Sequence, residues 1–426
     1  MAFLLLATLL LSLAGCSRPQ SFRGTLVLWE PPRWPVNGDT SAWTKDRLVA
    51  FEKAHPGVKA VLETKPAADL EQALDKAWNN GQGPDLALAP FRPDWAKDGR
   101  LQPLDGLLTA DEAKDFLPGT LDAARLVGRL YGLPAGAEPV VLVLNLDVFA
   151  RRNVMPPADG RWTWQQFEAT LRSLSGKDSS GKSTYGLGYY VLSGFYEFWP
   201  LWTDGAPLLD PASGALILSP TGSARQGIAR LAAWTQSSDL LWPGSARRTP
   251  EELWRAFVGP EASVAMAPWG SWALPLLEQD KFRTRAAVAH FPTDGGQAAT
   301  TGKVTTYLLR TQGDALKARA ALDLALFLTD AAARSEQAKY AGVLPVRRSA
   351  GNLFGSDPVL GRAADMVAEM ASLPADQARR QAMDRLQQRV QYALLGAMTP
   401  EQALTQPEAG GAREAGGEGG QTHATP

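Results

Sequence analysis

Short apolar runs and helical stripes alternate along most of this chain. "TLVLW" reads as a buried strand, and the prolines after Glu30 end it. Trp43, Arg47, Leu48 and Phe51 then share one helical face, and "HPG" stops that helix. "VKAVLE" is a second strand. Leu70, Leu74 and Trp78 repeat at i, i+4, i+8 and predict a helix, followed by a third strand in "PDLALAP". Strand, helix, strand, helix, strand is an α/β pattern with a largely parallel sheet. The pattern resumes in the buried strand of "EPVVLVLNLDVFA". "TWQQFEATLRSL" is a helix whose start has a capping box, Thr163 with Gln166. Residues 177–183 read as a polar loop. "ARQGIARLAAWTQ" and "PEELWRAFVGPE" read as helices, and "SVAMAPW" and "VTTYLLR" as strands. Residues 316–341 are largely helical, as are 361–397 with a break near Pro374. The tail, 406–426, has no periodicity and reads as disordered.

Composition narrows the chemistry. Lys and Arg number 43 against 44 Asp and Glu, so no charge bias points to nucleic acid or to an anionic membrane surface. The three histidines, His55, His290 and His423, are far apart, which gives no metal-ligand spacing. No cofactor is expected. There is no Gly-x-Ser-x-Gly elbow, Walker loop or dinucleotide fingerprint. Tryptophan is the unusual entry, with 14 copies, more than packing alone requires.

The single cysteine is Cys16. Before it, residues 2–14 are apolar except for Thr8 and Ser12. The run is shorter than the ~20 residues that span a bilayer, and it suits a signal-peptide core. "LAGC" resembles the bacterial lipobox. That resemblance implies cleavage after residue 15, lipidation of Cys16 and a body held outside the cytoplasm at a membrane face. No Lys or Arg precedes the apolar run, which departs from the usual signal pattern.

Seven stretches, in order, resemble the family-one extracellular solute-binding proteins, the maltose-binding-like receptors of ABC importers. They are "FEKAHPGVKA", "GPDLALAP", "DGRLQPLDGLL", "GRLYGLPAGAEPVVLVLNLDVF", "WTWQQFEATLRSL", "AFVGPEASVAMAPWGSWAL" and "YAGVLPVRRSA". The resemblance implies an α/β, type II-like periplasmic-binding-protein fold: two lobes, a hinge, and a ligand cleft between the lobes. It implies a signal peptide over 1–15 and a lipid-attached linker over 16–23. Lobe 1 then takes 24–134 and 294–340. Lobe 2 takes 135–293, and 341–405 supplies more of lobe 2 and the hinge helices. Crossings are expected near 133–138, 291–295 and 341–345.

Sugars offer C–H faces to aromatic rings and hydroxyl edges to charged and amide groups, and cleft sites mix apolar walls with a few placed polar groups. Trp29 and Glu30 end the first strand, where ligands of open α/β sheets sit. Phe91 and Arg92 follow the third strand in the same way. The stretch from Tyr189 to Asp204 concentrates aromatic residues, with Tyr189, Tyr190, Trp199, Trp202 and Asp204 as candidate wall residues. Trp269 and Trp272 flank Gly270 in "APWGSW". Lys303 and Arg347 are further candidates. By the resemblance, Glu138 falls where related receptors place a ligand-bonding carboxylate, and Trp272 is the closer match to their stacking tryptophan. "SLPADQARRQAMDRL" lacks the late aromatic of maltose receptors, which argues against a maltodextrin.

The resulting expectation is a lipid-anchored, monomeric receptor, not an enzyme. It would bind a carbohydrate by hinge closure and deliver it to an ABC permease. The alternatives are a receptor for a non-sugar solute such as a glycerol phosphodiester, a surface glycosidase using Glu30 and Glu138 as paired carboxylates, and a scaffold without a small ligand.

Overall fold

The computed structural model describes residues 21–33, 39–191, 222–236, 239–278, 282–294, 300–351, 353–372 and 377–405. Its strands are β1 (Gly24–Glu30), β2 (Val58–Thr64), β3 (Leu86–Ala89), β4 (Arg125–Leu126), β5 (Arg129–Leu130), β6 (Gly132–Asn145), β7 (Gly176–Lys177), β8 (Ser183–Leu187), β9 (Val264–Gly270), β10 (Ala286–Ala289), β11 (Thr300–Leu309) and β12 (Met370–Ser372). β4 and β5 form a separate two-stranded hairpin. The remaining strands run in the order β2-β1-β3-β11-β6-β9-β8-β7, with β10 on β6 and β12 on β11.

β6 divides this assembly. Its first half, Gly132–Pro139, pairs antiparallel with β11, and its second half, Val140–Leu144, pairs antiparallel with β9. β1, β2 and β3 are parallel, and β11 lies antiparallel against β3. Helices α1 (Ala42–Ala54) and α2 (Ala67–Asn79) join these strands, and each buries the stripe that its sequence spacing marks. On the far side, α3 (Trp164–Leu174) packs on β8 and α5 (Pro250–Phe257) on β9, while α4 (Ser223–Gln236) packs on the late helix Gln377–Leu394. α3 starts at the capping box read from the sequence, with Thr163 Oγ1 accepting from the Gln166 amide and the Gln166 side chain from that of Thr163. α6 (Ala315–Leu328) lies against α1 and β11, followed by α7 (Ala331–Ala341).

Two local expectations change, and one segment outside them becomes a strand. Residues 177–183 are the turn of a hairpin, because Lys177 pairs with Ser183. The alanine-rich segment after Arg285 forms strand β10, since pairing with the edge of β6 outweighs alanine's helix preference. The region after residue 361 is not a single broken helix. α8 (Pro358–Met366) is followed by a 3-10 turn and then by β12, which pairs with Thr300–Gly302, and α9 spans Gln377–Leu394. The signal peptide, Cys16 and the tail lie outside the described residues.

Several chain segments meet where β6 changes partner. Ala137 exchanges both backbone hydrogen bonds with Leu344. Gly302 of β11 sits against Pro139 and β12. A Cβ on Gly302 would lie 2.7 Å from the Glu138 carbonyl oxygen and 2.8 Å from Pro139 Cα, with the Met370 sulfur closer still. Two of these obstacles are backbone atoms, which cannot step aside as a side chain does. Gly302→Val is therefore expected to destabilise the protein by at least the ~1–3 kcal/mol typical of overpacking. Urea unfolding would show a lowered midpoint, whereas Gly313→Val, at a glycine with open space around it, serves as the neutral control.

Candidate ligand-binding cleft

Of the fourteen residues in β6, Glu138 alone is not fully buried. It stands one residue before the change of partner, and its cross-strand neighbour is Lys303, which is exposed. Among the described residues, Glu138 makes no hydrogen bond or ion pair. Burial pushes its carboxyl above the ordinary carboxylate range, with the charge of Lys303 pulling the other way. A desolvated carboxylate without a donor costs free energy. A ligand hydroxyl in this place would supply the missing donor.

Two candidate tryptophans are half-buried, Trp29 on the β11 side of β6 in the strand order and Trp272 on the β9 side. Trp29, near the end of β1, is half-buried, with Lys65 Nζ 4.4 Å from its ring centroid, and its indole N–H is buried without a partner. Trp272 is also half-buried, on the turn that follows β9. That turn is seated on the chain segment after α7. Ser271 Oγ donates to the Gly342 carbonyl, and Gly342 has a left-handed φ of 64°. A side chain at Gly342 would overlap the Ser271 carbonyl and crowd Trp272 Cα, so only glycine permits this approach. The placement of Trp272 thus depends on the 342–344 segment that also pairs with β6.

Seven other candidates are committed to packing or to internal bonds. Glu30 is fully buried, accepts from Thr44 Oγ1 and pairs with Arg33 at 2.6 Å. It is not a free partner for Glu138, which removes the paired-carboxylate reading. Phe91 is buried beside Tyr131, with rings 6.3 Å apart and nearly parallel. Arg92 lies over Trp95 and pairs with Asp75 at 2.9 Å and with Asp94. Tyr189 is buried and shares a 2.7 Å hydrogen bond with Thr235. Tyr190 packs on Trp269, and Trp269 packs edge-on to Trp254 at 5.2 Å, so both belong to the core. Arg347 donates to the Leu326 carbonyl and to Thr329, tying α6 to the returning chain. In each case the residue type suits a wall, but the fold turns the side chain toward an internal partner. Trp199, Trp202 and Asp204 lie outside the described residues.

The sequence reading missed Arg33, Trp43, Tyr307 and Arg334, which gather around Glu30. Arg33 could have been found as a cation just past the strand that ends at Glu30. Arg334 could not, because nothing marks which face of its alanine-rich helix turns inward. Among the described residues, no three His, Cys, Asp or Glu side chains gather as a metal site, and no helix is long and apolar enough to cross a membrane.

The state of Glu138 has a measurable consequence. In the unfolded chain its carboxyl ionises near 4.3, and in the folded protein it ionises higher. The folded state therefore holds the proton more tightly, and this group lowers stability as pH rises through that window. Glu138→Gln should raise the melting temperature of the ligand-free protein at pH 7. The gain should vanish as pH falls below about 4, where both forms of the wild-type chain are protonated. Differential scanning calorimetry at the two pH values checks both the sign and the window.

Comparison with known proteins gives a consistent answer. The family model for bacterial extracellular solute-binding proteins matches residues 46–360. An uncharacterised lipoprotein of Streptomyces antibioticus is 29% identical over 231 residues, covering 52% of this chain and 45% of that protein. The maltotriose-binding protein of Pyrococcus abyssi is 40% identical over 97 residues, 22% of this chain and 20% of its own. The chain thus spans under half the length of each of these relatives. Among solved structures, the cyclic alpha-maltosyl-1,6-maltose binding protein of Arthrobacter globiformis superimposes with a TM-score of 0.75 at 18% identity, over 90% of this chain and 96% of its own. That likeness fixes the two-lobe fold. With well over half of its length matched by the family model, the chain belongs to the bacterial extracellular solute-binding proteins.

Proposed function

We propose that this protein is a lipid-anchored, extracytoplasmic receptor that holds a carbohydrate between its lobes and delivers it to an ABC permease. The observation that carries the reading is Glu138, a half-exposed carboxylate without a partner at the point where β6 passes from one sheet to the other. In this reading one lobe comprises 24–134 and 294–340, and the other comprises 135–293 with 341–405. The strand β6, the 342–344 segment and β12 connect them. Glu138 accepts hydroxyl hydrogen bonds, Lys303 donates at the same edge, and Trp272 stacks on a sugar face. Trp29 offers an indole N–H from the opposite lobe. Trp199, Trp202 and Asp204 remain part of the proposed wall.

The family is one of binding proteins, so the chain is a binding protein rather than an enzyme. Its work is closure about the ligand, which gives a permease a closed form to recognise. The maltotriose-binding relative and the maltosyl-maltose-binding structural neighbour support a sugar. The missing late aromatic still weighs against a linear maltodextrin. The lipoprotein relative supports the membrane anchor at Cys16, as does the "LAGC" sequence.

Two measurements test these proposals. In a thermal-shift screen of mono- and oligosaccharides, at least one sugar should raise the melting temperature by mass action. Trp272→Ala should weaken that sugar about tenfold or more, in line with the loss of an aromatic contact. No shift with any sugar would exclude the carbohydrate reading. Intact mass of the membrane-extracted protein should show a chain that begins at Cys16 and carries acyl groups. An uncut chain with a free thiol would exclude the anchor.

A further inference from the structure

A second cluster lies at the ligand edge of the first sheet, and the proposed sugar contacts do not use it. Trp29 pairs with Ala87, so Glu30 stands opposite Leu88, and Leu88 pairs with Tyr307. Glu30 and Tyr307 therefore share one row and one face of the sheet. Arg33 Nη2 donates to Glu30 Oε2 at 2.6 Å and to Tyr307 Oη at 2.9 Å. Arg334 Nη2, from α7, donates to the same phenol oxygen at 3.3 Å, and Arg334 Nη1 donates to Gln337. The Trp43 ring lies 5.0 Å from the Arg33 guanidinium and 5.4 Å from that of Arg334. The Arg33 side chain is 5% exposed and Arg334 is 2% exposed.

Among the described residues, neither the charge nor the hydrogen bonds of Arg334 close. Two guanidiniums face one carboxylate, and Glu30 is already taken by Arg33 and Thr44. Arg334 meets only the neutral oxygens of Tyr307 and Gln337. Burial depresses it to about 10, which leaves it charged at neutral pH. Its Nε–H is buried without an acceptor, and the phenol oxygen receives from both arginines while its own hydrogen finds no acceptor among the described residues. The nearby Asp330 is engaged by Arg47, at 3.9 Å. Among the described residues, Arg334 is left with donors to spare and without a carboxylate partner.

We propose that Arg33, Tyr307 and Arg334 form an anion subsite of the cleft, and that the ligand is an acidic carbohydrate carrying a carboxylate or phosphate group. The anion would accept the donors left over and balance the second guanidinium. A neutral sugar leaves that charge uncompensated. The inference rests on the sugar-receptor reading for the remainder of the ligand.

Calorimetric titration with neutral sugars, the matching uronates and the matching sugar phosphates separates the two claims and the two anion types. An acidic member should bind about tenfold to a hundredfold more tightly than its neutral counterpart, as for a charge-assisted hydrogen bond. Added salt should reduce this preference. Arg334→Gln should abolish the preference and leave neutral-sugar affinity in place, while Arg334→Lys should keep part of it. Equal binding of neutral and acidic sugars by the wild type, or a preference that survives Arg334→Gln, overturns the subsite while the sugar reading stands. Inorganic phosphate tests the subsite without any sugar. It should raise the melting temperature of the wild type and of Arg334→Lys more than that of Arg334→Gln, and equal responses overturn the subsite whatever the sugars do. Should Arg334→Gln fail to fold, the same comparison is made with Tyr307→Phe, which removes the phenol that bridges the two arginines.

Discussion

One strand belongs to both halves of this molecule, and the rest of the arrangement follows from it. β6 gives its first eight residues to a ladder with β11 and its next five to a ladder with β9. Neither ladder can slip without moving the other, because a one-residue slip turns every side chain to the opposite face. The change of partner is the point where the two ladders meet. Gly302 and the Ala137–Leu344 bridge hold the neighbouring segments against that point. In the proposed closure, rotation would be confined to this narrow line of backbone.

The same line is where the fold gives up stability. β6 is apolar on both faces, and an aliphatic residue at position 138 would suit its neighbours better than a glutamate. The carboxylate instead sits partly desolvated, with only the cross-strand charge of Lys303 in its favour. The Arg33–Tyr307–Arg334 cluster shows the same imbalance with the opposite sign. Uncompensated groups of either sign are what the proposed ligand contacts would satisfy. Some buried charges are fully matched. Asp85, for example, receives Arg310 at 3.3 Å and Lys317 at 2.8 Å.

Periodicity made most of the framework legible. The stripes Leu70–Leu74–Trp78 and Phe167–Leu171–Leu174 are buried where their spacing places them. Strands made by pairing rather than by propensity were not legible. Ala286–Ala289 and Met370–Ser372 look helical or featureless alone, and they become strands because β6 and β11 offer free edges. The site was half legible. Glu138 stands out because a carboxylate interrupts an apolar run. The aromatic candidates were ambiguous, because a tryptophan that stacks on a ligand and one that packs in a core have the same composition signature. Trp269, in β9, is fully buried, while Trp272, on the turn that follows, packs edge-on against it and stays half-buried. The arginines that drew notice, Arg92 and Arg347, are internally paired, while Arg334 is placed by tertiary contacts no local pattern encodes.

The central claim is that a ligand hydroxyl satisfies Glu138 at the change of partner in β6. Titration calorimetry of the bound sugar against wild type and Glu138→Gln tests it most directly. The amide keeps the size of the side chain and removes the charge, so the account predicts an affinity loss of about tenfold to a hundredfold, the worth of a hydrogen bond to a charged group. Unchanged affinity and unchanged binding enthalpy in Glu138→Gln would contradict it.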